Sequence, residues 1–353
     1  MSRVEMSLKN VVAMAIGLLV AMAVLEVALA PLTPPPLRYR SPQPLHMTDP
    51  ELGWTLKPNQ HSFTIDQLVT TNGLGLRSPE IAVRKPAGVF RVLCLGDSQT
   101  FGNGVTQDRT YAAMLRPLLA PTPGSRLVES INGGVQGYDT LQEVALLERL
   151  APQIEPDVVT LGFYLNDIGD VLRTNKTSMA AETGEFRRDG LKRLIPYPVI
   201  YLAKRSRLIT LVLWRLNLLA YGGPSDPGNQ VLRGADPPQY EPAWRLIEES
   251  LSKARDLAIS LGFRLIVFPV PALPGVINPS PSERYRSRFL TIAARLGIDR
   301  CDPTPAFLEA GGDPKRFFIP WDGHLSTEGH EIIARSLARA ILAGRPAGGG
   351  RPS

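Results

Sequence analysis

The chain has 353 residues, enough for one large domain with appendages, and 44% of them are hydrophobic, ordinary for a globular protein. Its formal charge of +6 comes without basic clusters interleaved with aromatics, which argues against nucleic acid as a partner. Two cysteines, Cys94 and Cys301, and four histidines show no metal-ligand spacing, so neither a metal nor another cofactor is expected.

Residues 11–25 form an apolar run that includes Gly17 and follows Arg3 and Lys9; Glu26 interrupts it and residues 27–32 resume it. That length crosses a bilayer with the N-terminus cytoplasmic, and Glu26, near the far end, can reach the headgroups. The alternative is a cleaved signal peptide, with small-residue sites at Ala21-x-Ala23 and Ala28-x-Ala30, although Pro31 obstructs a cut at the latter. Both readings export the remainder, either as a single-pass cell-membrane protein with its domain on the periplasmic side or as a secreted one. Residues 1–32 are therefore read as anchor or signal. Residues 33–50, opened by Pro31 to Pro36, are read as a stiff Pro-rich linker.

Further along, the patterns predict strands over 89–95, 127–131, 158–161, 264–268 and 298–301. Helices are predicted over 111–119, 244–261 (stopped by Gly262), 285–296 and 332–342. Another opens at Thr140-Leu141-Gln142-Glu143, which has the spacing of a capping box. Strands alternating with helices imply a parallel sheet covered on both faces, with any site outside the carboxyl ends of the strands. The globular domain spans 51–343, and 344–353 reads as a disordered tail. Residues 170–238 break the alternation and read as an insertion. They hold Arg187, Arg188, Lys192, Arg193, Lys204, Arg205 and Arg207, then a weakly charged run over 208–221 with Trp214. A core-packed helix with a basic outer face, a lid over the site, and a membrane-surface contact all fit this stretch.

Four short segments carry the chemistry. The run from Arg91 to Leu95 ends in Gly96-Asp97-Ser98, which delivers a serine hydroxyl to the sheet edge, although a plain tight turn fits as well. Near the C-terminus, Asp322 precedes His324 in a Gly-containing loop, and a close Asp-x-His pair can hold an imidazole in one tautomer as a general base. His330 falls in the first turn of the following helix and fits a structural role. Gly137, between a strand and a helix, and Asn166, in Leu165-Asn166-Asp167 after the 158–161 strand, can each donate to an oxyanion. A turn glycine and a helix cap are their ordinary alternatives.

In this order the segments resemble the SGNH (GDSL-type) hydrolase family over about residues 51–342. The resemblance implies an α/β/α three-layer sandwich with a central parallel sheet, the flavodoxin-like SGNH fold, behind an N-terminal transmembrane helix. It also implies ester hydrolysis or acyl transfer. Its site residues fall on Ser98, His324 and Asp322 as the triad; the Ser98 and Gly137 N–H groups and the Asn166 side chain as the oxyanion hole; and Asp97 and Asp167 as loop supports. Two departures stand out. The third block reads Gly162-Phe163-Tyr164-Leu165-Asn166, two residues longer than Gly-x-Asn, and the last block is Asp-x-His rather than Asp-x-x-His. The shorter spacing resembles a polysaccharide O-acetylation branch that includes alginate acetyltransferase-like proteins. Glu51-Leu52-Gly53-Trp54 and Asn72-Gly73-Leu74-Gly75-Leu76-Arg77 look like membrane-anchored bacterial members. The expected function is an exported serine esterase acting on an ester-bearing substrate, with acetylated glycans the favoured class. An O-acyltransferase acting on a polysaccharide, or a non-catalytic glycan-binding protein on the same fold, is the alternative.

Overall fold

A computed structural model describes residues 8–38, 40, 44–120, 127–172, 195–220 and 227–344. A long apolar helix α1 (Leu8–Leu29) comes first. Two antiparallel hairpins follow, β1 (His46–Asp49) with β2 (Gly53–Leu56) and β3 (His61–Thr64) with β4 (Gln67–Thr70). Sequence patterning misses both hairpins, because four-residue strands carry too little alternation to register. β1 falls inside the stretch read as linker.

The central sheet holds β5 (Phe90–Gly96), β6 (Val128–Asn132), β7 (Val158–Phe163), β8 (Arg264–Pro269) and β9 (Asp299–Arg300), all parallel, in the order β6-β5-β7-β8-β9. Between and after these strands come α2 (Ser98–Phe101), α3 (Tyr111–Leu119), α4 (Thr140–Ile154), α5 (Asp167–Asp170), α6 (Tyr197–Ala203), α7 (Arg207–Ala220), α8 (Pro227–Leu232) and α9 (Glu241–Leu261). They continue with α10 (Leu273–Ile277), α11 (Pro279–Arg295), α12 (Thr304–Glu309) and α13 (Thr327–Ala343).

Every residue of β5 is buried, and the period of two sorts them. Leu93 and Leu95 join Ile131, Val159 and Leu161 under α4, α9 and α11, where Leu147, Leu251 and Phe289 pack. Val92 and Cys94 face the other way, with Ile266 and Phe268, against Leu115 of α3 and Leu337 of α13. The result is three layers, as the alternation of elements predicts. Truncating a core residue such as Leu93 to alanine is expected to cost about 2–5 kcal/mol.

Cys94 and Cys301 are separate buried thiols, and burial pushes the Cys94 thiol up to about 11. The capping box of α4 sits one residue earlier than the sequence suggests. Asp139 accepts from the N–H groups of Leu141 and Gln142, and Gln142 answers to the Asp139 N–H. Thr140 and Glu143 are thereby turned inward, and the Thr140 hydroxyl donates to Asp167 at 2.7 Å.

Chain order crosses the sheet at β5. From there the chain goes to β6 on one side and returns to β7 on the other, so the carboxyl ends of β5 and β7 border the crevice where such sheets bind ligands. Of the insertion, α6, α7 and α8 are described. α8 packs on α5 and α11, and α7 packs on α1. Arg187, Arg188, Lys192 and Arg193 lie outside the described residues, as does the tail beyond Gly344.

Candidate active site

The loop that carries Ser98 begins where β5 stops. Gly96 has φ of 154°, and a side chain there would meet Thr100 Oγ1 at 1.9 Å, so only glycine lets the chain turn into α2. Asp97 caps α2: one carboxylate oxygen accepts from the Gln99 N–H at 2.8 Å, and the other lies 3.5 Å from Ser98 Oγ. Ser98 is thus the first residue of the short helix, partly exposed on an otherwise buried turn.

Two buried polar side chains hold this turn from outside it. The Arg77 guanidinium donates to the carbonyls of Phe101 at 2.7 Å, Gly102 at 2.6 Å and Val105 at 2.6 Å, and lies over the Phe101 ring. Asn132, at the end of β6, donates to the Thr100 carbonyl at 3.0 Å and accepts from the Gly134 N–H at 2.9 Å. Gly134 passes so close to α2 that a side chain there would lie 2.2 Å from the Phe101 nitrogen. The Gly133–Tyr138 loop is therefore fastened to the Ser98 turn, and it brings Gly137 round with φ of 78°.

His324 arrives from a loop more than 200 residues later. His324 Nε2 lies 2.7 Å from Ser98 Oγ, while its Nδ1 is hydrogen-bonded to Asp322. A carboxylate on Nδ1 fixes the proton there and leaves Nε2 to accept from the serine hydroxyl. The loop closes on itself through Ile319 N–H to the His324 carbonyl at 2.7 Å and an antiparallel bridge between Phe318 and Leu325. It is joined to the Ser98 turn through the Leu325 N–H, which donates to Gln99 Oε1 at 3.0 Å. Asn103 lies between the halves. Its amide nitrogen is 3.4 Å from His324 Nδ1, and its oxygen accepts from Gln136 at 3.0 Å and from Thr64.

Electrostatics separate the two histidines of this region. Burial alone would lower the His324 pKa, but the Asp322 carboxylate outweighs it, with help from Asp97, and the net shift is upward. Asp322 is itself held below its ordinary value, because the pairing with His324 overcomes its desolvation. His330 is fully buried, stacks on Tyr111 and accepts from the Tyr111 N–H at 3.3 Å. Burial, with Arg77 nearby, pushes it down to about 3. Behind Ser98 lie more carboxyls. Burial raises Asp97 to about 6, and it raises Glu143 and Asp167 well above the carboxylate range, with mutual repulsion adding to the effect.

Of the sequence-predicted residues, Ser98, His324 and Asp322 form one hydrogen-bonded chain. Asn166 follows β7 as the N-cap residue of α5, and its side-chain amide donates to Asp170 at 2.9 Å; one N–H of that NH2 group remains to be donated elsewhere. β7 runs on to Phe163, and of the two residues that lengthen this block Leu165 is buried in the core while Tyr164 is partly buried against it. Asp97 and Asp167 are buried at the starts of α2 and α5. Sequence reading does not single out Gln99, Asn103 or Asn132. Arg77 enters it only as the last letter of a familiar-looking string.

Comparison with known proteins comes to bear on this geometry. No curated protein sequence gives a significant match. Solved structures that align include an alpha/beta hydrolase enzyme from the metagenome of Lake Arreo, Spain (14% identity, 73% of this chain and 97% of that one, TM-score 0.45). An acetylxylan esterase from Geobacillus stearothermophilus aligns at 18% identity over 71% of this chain and 94% of that one, with TM-score 0.41. A lipolytic protein of the G-D-S-L family from Veillonella parvula aligns at 14% identity over 72% and 98%, also with TM-score 0.41. The family model described as GDSL-like lipase/acylhydrolase matches residues 94–332, well over half of the chain, from the last residues of β5 past the His324 loop. The chain belongs to the GDSL-like lipase/acylhydrolase family of hydrolases.

Proposed function

We propose that this protein is a membrane-anchored serine esterase that hydrolyses acyl esters, acetyl esters foremost, on the extracytoplasmic side of the membrane. The observation that carries the reading is the 2.7 Å contact between Ser98 Oγ and His324 Nε2, with Asp322 on the opposite ring nitrogen. In this reading Ser98 Oγ attacks the ester carbonyl while its proton passes to Nε2. Asp322 stabilises the imidazolium that forms. The tetrahedral intermediate places its negative oxygen against the Ser98 N–H, the Gly137 N–H and the Asn166 amide. His324 then returns the proton to the leaving alkoxide, which departs as the alcohol and leaves an acyl-serine. Water, deprotonated by the same imidazole, adds to that ester; the acid is released and Ser98 regains its proton.

Support for the acetyl class is the short Asp322-x-His324 spacing and the export implied by the N-terminal apolar run. Support for an uncleaved anchor is Pro31 after the Ala28-x-Ala30 site, and α1 itself, a 22-residue apolar helix. The test is hydrolysis of p-nitrophenyl acetate by the full chain in detergent micelles. Ser98→Ala and His324→Ala are each expected to lower kcat by about 10³-fold or more. Asn166→Ala is expected to lower it by about 10²-fold. Undiminished turnover in folded Ser98→Ala would sink the serine mechanism.

A further inference from the structure

Glu26 is near the far end of the apolar run, where headgroups are its expected partner. In the structure it is taken by protein instead. Its carboxylate accepts from the Ser206 hydroxyl at 2.8 Å and from the backbone N–H groups of Arg207 at 2.6 Å and Leu208 at 3.2 Å. Those are the free donors at the start of α7, so the last turns of α1 cap α7. The Arg207 guanidinium fixes the same junction from the other side, donating to the carbonyls of Thr33 at 2.8 Å and Pro34 at 3.0 Å.

Two faces of α7 then differ. Val212, Leu213 and Leu216, one helical stripe by their spacing, are 47%, 43% and 54% exposed. Val199 and Leu202 of α6 are likewise exposed. α7 packs on α1, whose apolar residues are also exposed, and the exposed Arg205 and Arg215 lie beside the α7 stripe in sequence. At 14 residues α7 is too short to cross a bilayer. An apolar stripe with cationic edges is the pattern of a helix lying in the membrane interface. On its inner face, Trp214 packs edge-on against Trp321 with ring centroids 5.5 Å apart, and the Trp321 indole N–H donates to the Pro34 carbonyl at 3.3 Å. Trp321 directly precedes Asp322, and its backbone is held in the left-handed region at φ of 66°.

We propose that the exposed apolar stripe of α7, with the outer side of α6, lies on a phospholipid bilayer bearing anionic headgroups, beside α1, and holds the Asp322–His324 loop at the membrane surface. The inference rests on reading α1 as an uncleaved span.

The test uses the full chain in nanodiscs of mixed zwitterionic and anionic phospholipid. Single cysteines (Val20→Cys, Leu213→Cys, Leu216→Cys and Ile259→Cys) each carry a nitroxide, and Cys94 and Cys301, being buried, stay unlabelled. Relaxation by oxygen and by a polar nickel chelate reports lipid against water at each position. The expected result is that Leu213 and Leu216 follow Val20 of α1, with high oxygen and low nickel accessibility, while Ile259 on the far helix α9 shows the reverse. If Leu213 and Leu216 follow Ile259 while Val20 reads as lipid, α7 faces water and the proposal is overturned with the anchor intact. If Val20 itself reads as water, the anchor reading falls and takes the proposal with it.

Discussion

Ser98 and His324 reach the same point from opposite ends of the domain, and they are held there by different means. The serine half is part of the sheet. β5 is buried from end to end, Asp97 caps the turn, and Arg77 and Asn132 occupy its carbonyls. The histidine half is a loop on the far side of α12. It is closed by the Phe318–Leu325 bridge and by backbone hydrogen bonds donated by Ile319, Asp322, Gly323 and Ser326, and it is fastened to the serine half at Gln99 and to the periphery at Trp321. The first half has few alternatives open to it. In the second half, geometry depends on a handful of contacts made by neighbouring elements. Changes in the loop should therefore read out mainly in catalysis, whereas changes beneath the serine turn should read out mainly in stability.

The largest expected effect on the loop half comes from Asp322. Its carboxylate raises the His324 pKa above 6.5; in the proposed mechanism His324 must be neutral to take the serine proton, so the acid limb of kcat/KM is expected above pH 6.5 in the unmodified enzyme. Asp322→Asn removes that support. The limb moves to lower pH while kcat falls by about 10⁴-fold, because the imidazole loses both its tautomer and its counter-charge. A pH–rate profile of the variant with an unmoved acid limb would show that His324 does not draw its basicity from Asp322.

The halves also differ in how far they can be read from sequence. Gly96-Asp97-Ser98 is legible because its meaning is local: an apolar run, then a glycine, then a cap. Asp322-Gly323-His324 is legible for the same reason, as two groups two residues apart that meet in space. The fold follows from periodicity, since all five sheet strands and the long helices fall within a few residues of their expected places. What stays hidden is long-range. Gln99 pairs with Leu325 across more than 200 residues, and Arg77 with carbonyls more than 20 residues away. Glu26 caps a helix about 180 residues downstream. A buried polar side chain gives no periodic signal of its own, and its partner is defined only once the fold exists. The shifted capping box of α4 shows the opposite case: Asp139 and Thr140 both suit the position locally, and packing of Thr140 against Asp167 decides between them.

Gln99 bridges the halves, so it gives the sharpest test of their coupling at moderate cost. Its carbonyl oxygen accepts the Leu325 N–H next to His324, while its own N–H is occupied by Asp97. Gln99→Ala leaves a buried donor unpaired in the loop, worth about 1–3 kcal/mol. It frees the imidazole to drift from Ser98, and kcat is expected to fall by about ten-fold with KM little changed. Gln99→Glu, which keeps the acceptor, is expected to restore much of kcat at a pH where the loop is otherwise competent. A proportionate loss of thermal stability without the kcat effect would instead mark Gln99 as ordinary packing.

The smallest expected effect lies behind the serine half, at Glu143. Both of its carboxyl oxygens are buried without a hydrogen-bond partner, and Asp167 is close enough to repel it. Burial therefore keeps Glu143 protonated in the folded protein at pH values where it is ionised in the unfolded chain. A group whose pKa is raised by folding supports the folded state fully below its unfolded value, near 4.5, and that support is lost as pH rises toward the folded value. Glu143→Gln has no proton to lose, so its stability should not decline over that window. The amide brings its own unpaired donors, a cost that is the same at every pH. The quantity to follow is thus the slope, measured as the Tm of Glu143→Gln minus that of the unmodified protein between pH 4.5 and 8. The difference is expected to grow by a few degrees with rising pH, at about 2–4 °C per kcal/mol for a domain of this size. Relief of Asp167 from its neighbour's charge works in the same direction, since the Thr140 hydroxyl can then serve an ionised Asp167. A difference that stays flat or shrinks across the window would mean that the charge behind Ser98 is already compensated in the folded state, and that the serine half tolerates an ionised Glu143.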